Sequence, residues 1–370
     1  MSPALPYNAR FRQTRAGPTL PPMTLAFVVN QVATEGPKYT TTILALALHR
    51  RGHKVFYFGV GDLNYARDGR VGGLGHFVPD GDYADETAYN EALLGNADDA
   101  RPVYSDELDI LFLRNDPGED VGERSWATNA GLMFGQLATQ QGVIVLNDPY
   151  GLSHALNKMY LQQFPEAVRP ETIITRRRED ILAFAEQRGG DVILKPLLGS
   201  GGTNVFVVKK DDHPNLKQIV EVIAADGYII AQEYMPKAAE GDIRLFLMNG
   251  VPLMSDGKYA AVHRMSAGDD IRNNLHAGGS AKRAEITPEI LEMVELIRPK
   301  LIADGMFMVG LDIAGTRLLE INLESPGGLR GAGLLEETDF TQPVCDALER
   351  KVLYKRNYRH TIANRTIATM

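Results

Sequence analysis

A single cysteine, Cys345, stands among 370 residues. No intrachain disulfide can form, and such usage fits a reducing cytoplasm. A mechanism through that thiol is not favoured, because its surroundings, PVCDALERK, read as the packing face of a helix. No apolar run approaches the ~18 residues needed to cross a membrane. No block of like charges interrupts the chain, and the net charge is −8, which argues against nucleic acid or an anionic membrane as partner. Residues 1–22 hold prolines and arginines without an apolar h-region, so they read as a flexible N-terminal arm and not as a secretory signal. Internal repeats and low-complexity segments are absent. What remains is an ordinary globular composition, 44% apolar, with length for about two or three domains.

Periodicity divides the chain. Thr24–Asn30 (TLAFVVN), a helical pattern over Thr41–Arg51 closed by Gly52, and Lys54–Phe58 (KVFYF) make a βαβ unit, which implies a parallel sheet. Residues 62–105 are polar and glycine-rich and read as loops with a small antiparallel excursion. A strand at Asp109–Arg114, a helix at Ser125–Gln141 and a strand at Val143–Asn147 complete a first α/β domain, residues 23–147. A helix over Gly151–Phe164 carries Lys158. Strands at Asp191–Pro196 and Asn204–Lys209, a helix at Asn215–Asp226 and a strand at Tyr228–Tyr234 follow, within a second unit of 148–234. A third, 235–354, holds a strand at Asp242–Met248, an Asn249-Gly250 hairpin signal before Val251–Ser255, a long loop over 256–280 and a helix over Thr287–Asp304. Residues 355–370 form a C-terminal tail.

The last strands carry the chemistry. In Phe307–Pro326, FMVGLDIAGTRLLEINLESP, the polar residues Asp312, Glu320 and Asn322 interrupt apolar strands. Glu320 and Asn322 share a face, and a three-residue loop at Gly315-Thr316-Arg317 puts Asp312 opposite Glu320. Opposed carboxylates repel, so something cationic belongs between them. Two acids and an amide oxygen are hard donors that suit Mg²⁺ shared with phosphate; the alternative is a hairpin with a solvated polar face. The loop LLGSGGTN after Lys195 either lets backbone amides approach phosphate or is a flexible turn. Lys195 sits in the apolar strand VILKP, where a lysine is costly without a partner, and phosphate is the obvious one. Lys158 is either a second phosphate ligand or a solvent-facing lysine. IAQEYM, with Glu233, either faces an adenine and ribose or is an ordinary strand end. Arg244, Arg264, Arg272 and Asn274 lie between the glycine loop and the acidic hairpin, where arginine offers bidentate recognition of carboxylate or phosphate.

The order of these pieces, Lys158, ILKPLLGSGG, AQEYMP, GDIR, HRMS, RNNLHAGG, VGLDI and LLEINLESP, resembles bacterial glutathione synthetase of the ATP-grasp superfamily, from about Thr24 to Val352. The resemblance implies an ATP-grasp fold, α/β and α+β, behind an N-terminal parallel-sheet domain. It implies an ATP-dependent carboxylate–amine ligase acting through an acyl phosphate, with γ-glutamylcysteine and glycine as substrates, in a homo-oligomer. Lys158, Lys195, Gly199, Ser200, Gly201 and Gly202 would hold ATP phosphates, and Gln232, Glu233, Tyr234 and Met235 the adenine, with Asp242 also on the nucleotide side. Asp312, Glu320 and Asn322 would hold Mg²⁺, or Mn²⁺. Arg244 and Arg264 would orient the substrate carboxylate and steady the phosphoryl and tetrahedral states, and Arg272 and Asn274 belong to a loop covering the intermediate.

The chain departs from the family pattern at Gly327-Gly328-Leu329-Arg330-Gly331-Ala332-Gly333, where Thr and an Arg-bearing helix start are usual, and at His276. These departures bear on the amine acceptor. A paralogous ligase with another donor or amine, and a non-catalytic nucleotide-binding module, are the competing readings; the second predicts a missing metal ligand or phosphate lysine, whereas the full set is present.

Overall fold

The computed structural model describes residues 21–120, 122–189, 191–197, 204–209, 213–225, 227–265, 280–358 and 361–370. Gly199, Ser200, Gly201 and Gly202, the segment bearing Arg272, Asn274 and His276, and the first twenty residues lie outside the described residues.

The first unit contains β1 (Thr24–Val29), α1 (Thr40–Arg50), β2 (Lys54–Gly59), β3 (Leu63–Tyr65), β4 (Val71–Phe77), α2 (Glu86–Gly95), β5 (Arg101–Tyr104), β6 (Ile110–Leu113), α3 (Ala130–Gln140) and β7 (Ile144–Leu146). The sheet runs β3-β4-β2-β1-β6-β7, with β5 on β4. Its β2-β1-β6-β7 portion is parallel and β3, β4 and β5 pair antiparallel. Strands covered on both faces are apolar throughout. Phe27, Tyr57 and Phe112 feed one core, and Ala26, Val28, Phe56 and Phe58 the other. Gly52, at φ +79°, closes the turn after α1, a conformation that glycine adopts without a Cβ penalty.

Three expectations for this part of the chain need correction. The polar stretch 62–105 contains α2 beside the antiparallel strands, started by Asp85, whose carboxylate accepts from Thr87 N and Ala88 N at 2.9 Å. The helix expected from Ser125 begins at Ala130, because Gly122–Ala127 winds as a 3-10 turn. The helix expected over Gly151–Phe164 is broken into α4 (Pro149–Leu152) and a 3-10 turn at Lys158–Gln163. Asn157 interrupts it by capping that turn, its Oδ1 accepting from Met159 N at 3.0 Å.

The second unit contains β8 (Thr172–Thr175), α5 (Arg178–Gln187), β9 (Val192–Pro196), β10 (Phe206–Val208), α6 (His213–Ala225) and β11 (Ile229–Glu233). Its antiparallel sheet runs β10-β9-β11-β8. Ile181, Phe184, Leu216, Val220 and Ile223 of the helices cover Leu194 and Ala231. β8 and α5 were not anticipated from the sequence.

The third unit contains β12 (Asp242–Met248), β13 (Val251–Pro252), β14 (Met254–Ser255), β15 (Lys258–Tyr259), β16 (Ala261–Met265), β17 (Ser280–Arg283), α7 (Pro288–Ala303), β18 (Met308–Ala314), β19 (Arg317–Asn322), α8 (Leu329–Glu336), α9 (Thr341–Asn357) and α10 (Asn364–Ala368). The sheet runs β17-β16-β12-β18-β19, with β13 on β12. The stretch read as a loop from 256 thus holds β15 and β16. Asn249 and Gly250, at φ +53° and +75°, form the expected two-residue turn. The β18–β19 turn is also two residues, Gly315 and Thr316, and not three. Asp312 still faces Glu320, because a bulge shifts the register between Asp312 and Ile313 and leaves Leu319 unpaired.

The C-terminal helices return to the first unit. Val344, Leu348 and Ile367 share a core with Leu44 and Leu48 of α1. Cys345 is fully buried there, and burial pushes its thiol up to about 12. Lys351 donates to Asn249 Oδ1 and to the carbonyls of Ile367 and Met370 at 2.8–3.1 Å. Asn364 bonds both N and O of Val145 at 2.9 Å.

Asn147, just past β7, ties the first sheet to the third. Its Oδ1 accepts from the N–H groups of Phe307 and Met308 at 2.7 and 2.9 Å, and its Nδ2 donates to the carbonyls of Met308, at 3.0 Å, and Leu323, at 2.5 Å. Asn147→Ala strands these backbone groups in a buried site. It should lower the unfolding free energy by about 2–4 kcal/mol in urea titrations. A loss under about 0.5 kcal/mol would mean that the amide is not what joins the units.

Candidate active site

A cavity of about 380 Å³ lies where the three units meet, lined by Asp116, Lys158, Lys195, Gln232, Glu320, Asn322 and Glu324 among others. Such junctions are where ligand sites are expected. Lys195 lies on β9 opposite Ile230 and is buried. Its Nζ donates to Gln232 Oε1 at 3.0 Å and to the carbonyl of bulged Leu319 at 3.5 Å. These partners are neutral, so burial drives the ammonium down to about 8, with Glu320 pulling upward and Lys158 adding repulsion. Lys158, on the 3-10 turn, donates its backbone N–H to Leu197 O at 3.3 Å, and its Nζ stands 4.0 Å from Glu320 Oε1.

The acidic hairpin is answered by arginines. Register places Arg244 opposite Asp312 and Arg264 opposite Asp242. Arg244 holds Asp312 through Nε and Nη2, the latter at 2.8 Å. Arg264 holds Asp242 at 2.7 and 2.8 Å and reaches Asp312 Oδ2 at 3.0 Å. Asn322 Nδ2 adds bonds of 3.3 Å to Asp312 Oδ2 and to Gly310 O. Burial acts to raise Asp312, but the two guanidinium groups outweigh it and keep the carboxyl ionised, at about 2. Asp242 moves upward, through burial first and then through Asp312. Cationic side chains thus stand at both acids, arginine on Asp312 and Lys158 beside Glu320.

This arrangement bears on metal binding. Asp312 already accepts from Arg244 Nε and Nη2, Arg264 Nη2 and Asn322 Nδ2, which uses the roughly four lone-pair sites of a carboxylate. Glu320 remains open, with a side chain 39% exposed. Among the described residues no three His, Cys, Asp or Glu side chains gather as a metal cage. Glu320 and Asn322 therefore fit a hard cation whose remaining ligands come from phosphate or water, and Asp312 fits only after giving up a guanidinium.

The remaining predicted residues divide. Gln232 lines the cavity, whereas the chain through Glu233, Tyr234 and Met235 runs past its lining into the 3-10 turn Pro236–Glu240. Glu233, expected to accept from ribose, accepts from Glu171 N at 3.2 Å. Asp242 is engaged by Arg264.

The sequence reading passed over two groups. Glu324 extends the Glu320–Asn322 alternation by two more residues, and burial followed by Asp116 pushes its carboxyl up to about 8. Arg114 ends the apolar strand DILFLR, the same signal that singled out Lys195. It is 4% exposed and donates to Thr41 Oγ1 at 3.4 Å and to the carbonyls of Glu324 and Pro326 at 3.2 and 3.1 Å.

Two neighbours on one hairpin should behave differently. Asp312→Asn leaves two buried arginines short of a counter-charge and should cost about 3–5 kcal/mol in nucleotide-free urea titrations. Glu320→Gln, on an open side chain, should stay within about 1 kcal/mol of the parent. Equal losses would show that Asp312 is not the keystone of the network.

Family models described as "Prokaryotic glutathione synthetase, N-terminal domain" and "Prokaryotic glutathione synthetase, ATP-grasp domain" match residues 23–153 and 157–336. The glutathione synthetase of Shewanella oneidensis is 34% identical over 317 residues, 85% of this chain and 94% of the relative. That of Vibrio cholerae is 32% identical over 336 residues, 89% and 98% of the two chains. Among solved structures, macrocyclase MdnC of Microcystis aeruginosa, bound to its precursor peptide, superposes with a TM-score of 0.58 at 15% identity, covering 88% of this chain and 99% of that one. A D-cycloserine synthetase does so with a TM-score of 0.54 at 14% identity over the same shares; both likenesses speak to the fold alone. The chain belongs to the prokaryotic glutathione synthetase family and is an ATP-dependent ligase of the ATP-grasp fold.

Proposed function

We propose that this ligase joins γ-glutamylcysteine to glycine. A carboxylate oxygen of the donor attacks the γ-phosphorus of ATP and ADP leaves. The amine nitrogen then attacks the acyl carbon of the acyl phosphate, and inorganic phosphate departs. Lys158 and Lys195 bind phosphate, and Gln232 forms part of the nucleotide wall, with Glu233, Tyr234 and Met235 beyond it. Asp242 sets Arg264. Arg244 and Arg264 orient the carboxylate and balance the charge that grows on the acyl oxygens, the kind of fixed-dipole help that supplies much of a ligase's rate. Mg²⁺, when bound, would neutralise phosphate charge, with Glu320, Asn322 and Asp312 as its protein ligands; Arg264 would then release Asp312. Gly199, Ser200, Gly201 and Gly202 are assigned to phosphate binding, and Arg272 and Asn274 to the intermediate.

The observation that carries the reading is the convergence of two lysines, Glu320 and Asn322 on one cavity at the junction of the units. We assign 23–147 to substrate, 148–234 and 235–354 to the clasp around the nucleotide, 1–22 to an arm and 355–370 to a tail. The expected setting is the cytoplasm, as a homo-oligomer. No described helix is long and apolar enough to cross a membrane.

Incubation with ATP, Mg²⁺, γ-glutamylcysteine and a mixture of amines, read by mass spectrometry, should yield glutathione and stoichiometric ADP. A product from another amine only would move the chain to the paralogous reading that the glycine-rich start of α8 raises. A second measurement follows from Lys195. Its lowered value means that the phosphate-binding charge is present below about pH 8 and lost above it. kcat/KM for ATP should therefore fall above about pH 8, and Lys195→Arg should remove that limb. A profile unchanged by Lys195→Arg would take Lys195 out of phosphate binding.

A further inference from the structure

The two lysines assigned to phosphate ride on different elements. Lys195 lies within β9, where sheet pairing holds it. Lys158 opens a 3-10 turn, Lys158–Gln163, an element too short to keep its place by its own hydrogen bonds. What holds that turn is a set of contacts behind the cavity that the scheme above does not use.

Tyr160, two residues after Lys158, is 3% exposed. Its hydroxyl donates to Asp304 Oδ2 at 2.8 Å, across 144 positions of sequence. Asp304 is buried at the C-terminal end of α7. Lys300, one turn back on that helix, donates to the same oxygen at 2.6 Å, and its Nζ stands 5.4 Å from the centroid of the Tyr160 ring. Phe164 packs edge-on against the ring, with centroids 5.1 Å apart. Burial, and then the bond to Asp304, pushes the titration of the phenol upward, so it stays a donor.

The chain on either side of Tyr160 is tied to the same body. Before the turn, Gly151 of α4 comes so close to α7 that a Cβ there would overlap the carbonyl of Asp304. After it, Arg169 donates to Gln162 Oε1 at 2.7 Å and to Phe164 O at 3.0 Å. Arg317 of β19 in turn donates to the carbonyls of Glu166 and Arg169 at 2.8 and 2.9 Å. The turn is therefore fastened to the third unit, which carries Glu320.

We propose that the Tyr160–Asp304 hydrogen bond positions Lys158 for phosphate. Successive residues of a 3-10 turn stand about 120° apart, so Lys158 and Tyr160 leave the turn on different sides. A phenol held at fixed depth sets the height and rotation at which Lys158 enters the cavity, 4.0 Å from Glu320 Oε1. Ring packing keeps Tyr160 in the core, and the directional bond to a buried carboxylate sets its depth. Tyr160 and Asp304 are positioning residues that act through Lys158. The inference rests on the reading of Lys158 as a phosphate ligand.

The test is a double-mutant cycle on binding and needs no turnover. The full chain is titrated calorimetrically with the ATP analogue AMP-PNP in the presence of Mg²⁺. Lys158→Met should weaken binding by removing a charge from the phosphates. Tyr160→Phe loses one oxygen and keeps the ring, and should weaken binding at least about fivefold. In the Lys158→Met background the same change should shift binding less than about twofold. Asp304→Ala removes the bond from its other side and should show the same dependence on Lys158. A general loosening of the fold would instead weaken binding equally in both backgrounds, and that result would overturn the assignment. Parental affinity in Tyr160→Phe beside a weakened Lys158→Met removes the positioning role and leaves Lys158 on phosphate. Parental affinity in Lys158→Met removes that lysine from phosphate binding and the positioning role with it.

Discussion

The site depends on a buried exchange of charge among Asp242, Arg244, Arg264 and Asp312. Two acids and two guanidinium groups cancel within adjoining strands. Buried ion pairs of this kind often cost as much desolvation as they return in attraction. Their value is positional. Planar, forked contacts fix the guanidinium planes and the carboxylate in one arrangement, so that the functional face of the third sheet is set before any nucleotide arrives. The same saturation means that any cation at Asp312 would have to compete with a hydrogen-bonded arginine.

Around that quartet the three units contribute separable chemistry. The second sheet supplies a lysine whose neutral partners leave its charge available. The third supplies the open carboxylate of Glu320 and the alternating Asn322 and Glu324. The first brings Asp116 to the cavity and Arg114 to the backbone behind it. Asn147, spending every polar atom of its side chain on the third unit, keeps this geometry from drifting.

Much of this was legible in the residues. Strand alternation placed Glu320 and Asn322 on one face, and an apolar strand interrupted by one cation marked Lys195. The parallel core of the first sheet followed from its βαβ spacing. The opposition of Asp312 to Glu320 was reached by a faulty route: the loop is shorter than supposed, and an irregularity in pairing restores the register. Such bulges leave no composition signal. The helix drawn through Lys158 failed because Asn157 competes for backbone N–H groups, and α2 was hidden in a polar stretch although Asp85 is a good cap. Arg114 gave the same signal as Lys195 and was passed over because no glycine loop follows it.

The paired bonds between Asn364 and Val145 have a further consequence. β7 closes one side of the first sheet, and the amide of Asn364 imitates the next strand for a single residue before α10 turns away. A peptide that stopped short of this point would leave β7 as a bare template, open to strand addition by another chain. The segment that leads into the closing helix thus occupies, at Val145, backbone groups that a further strand would otherwise need.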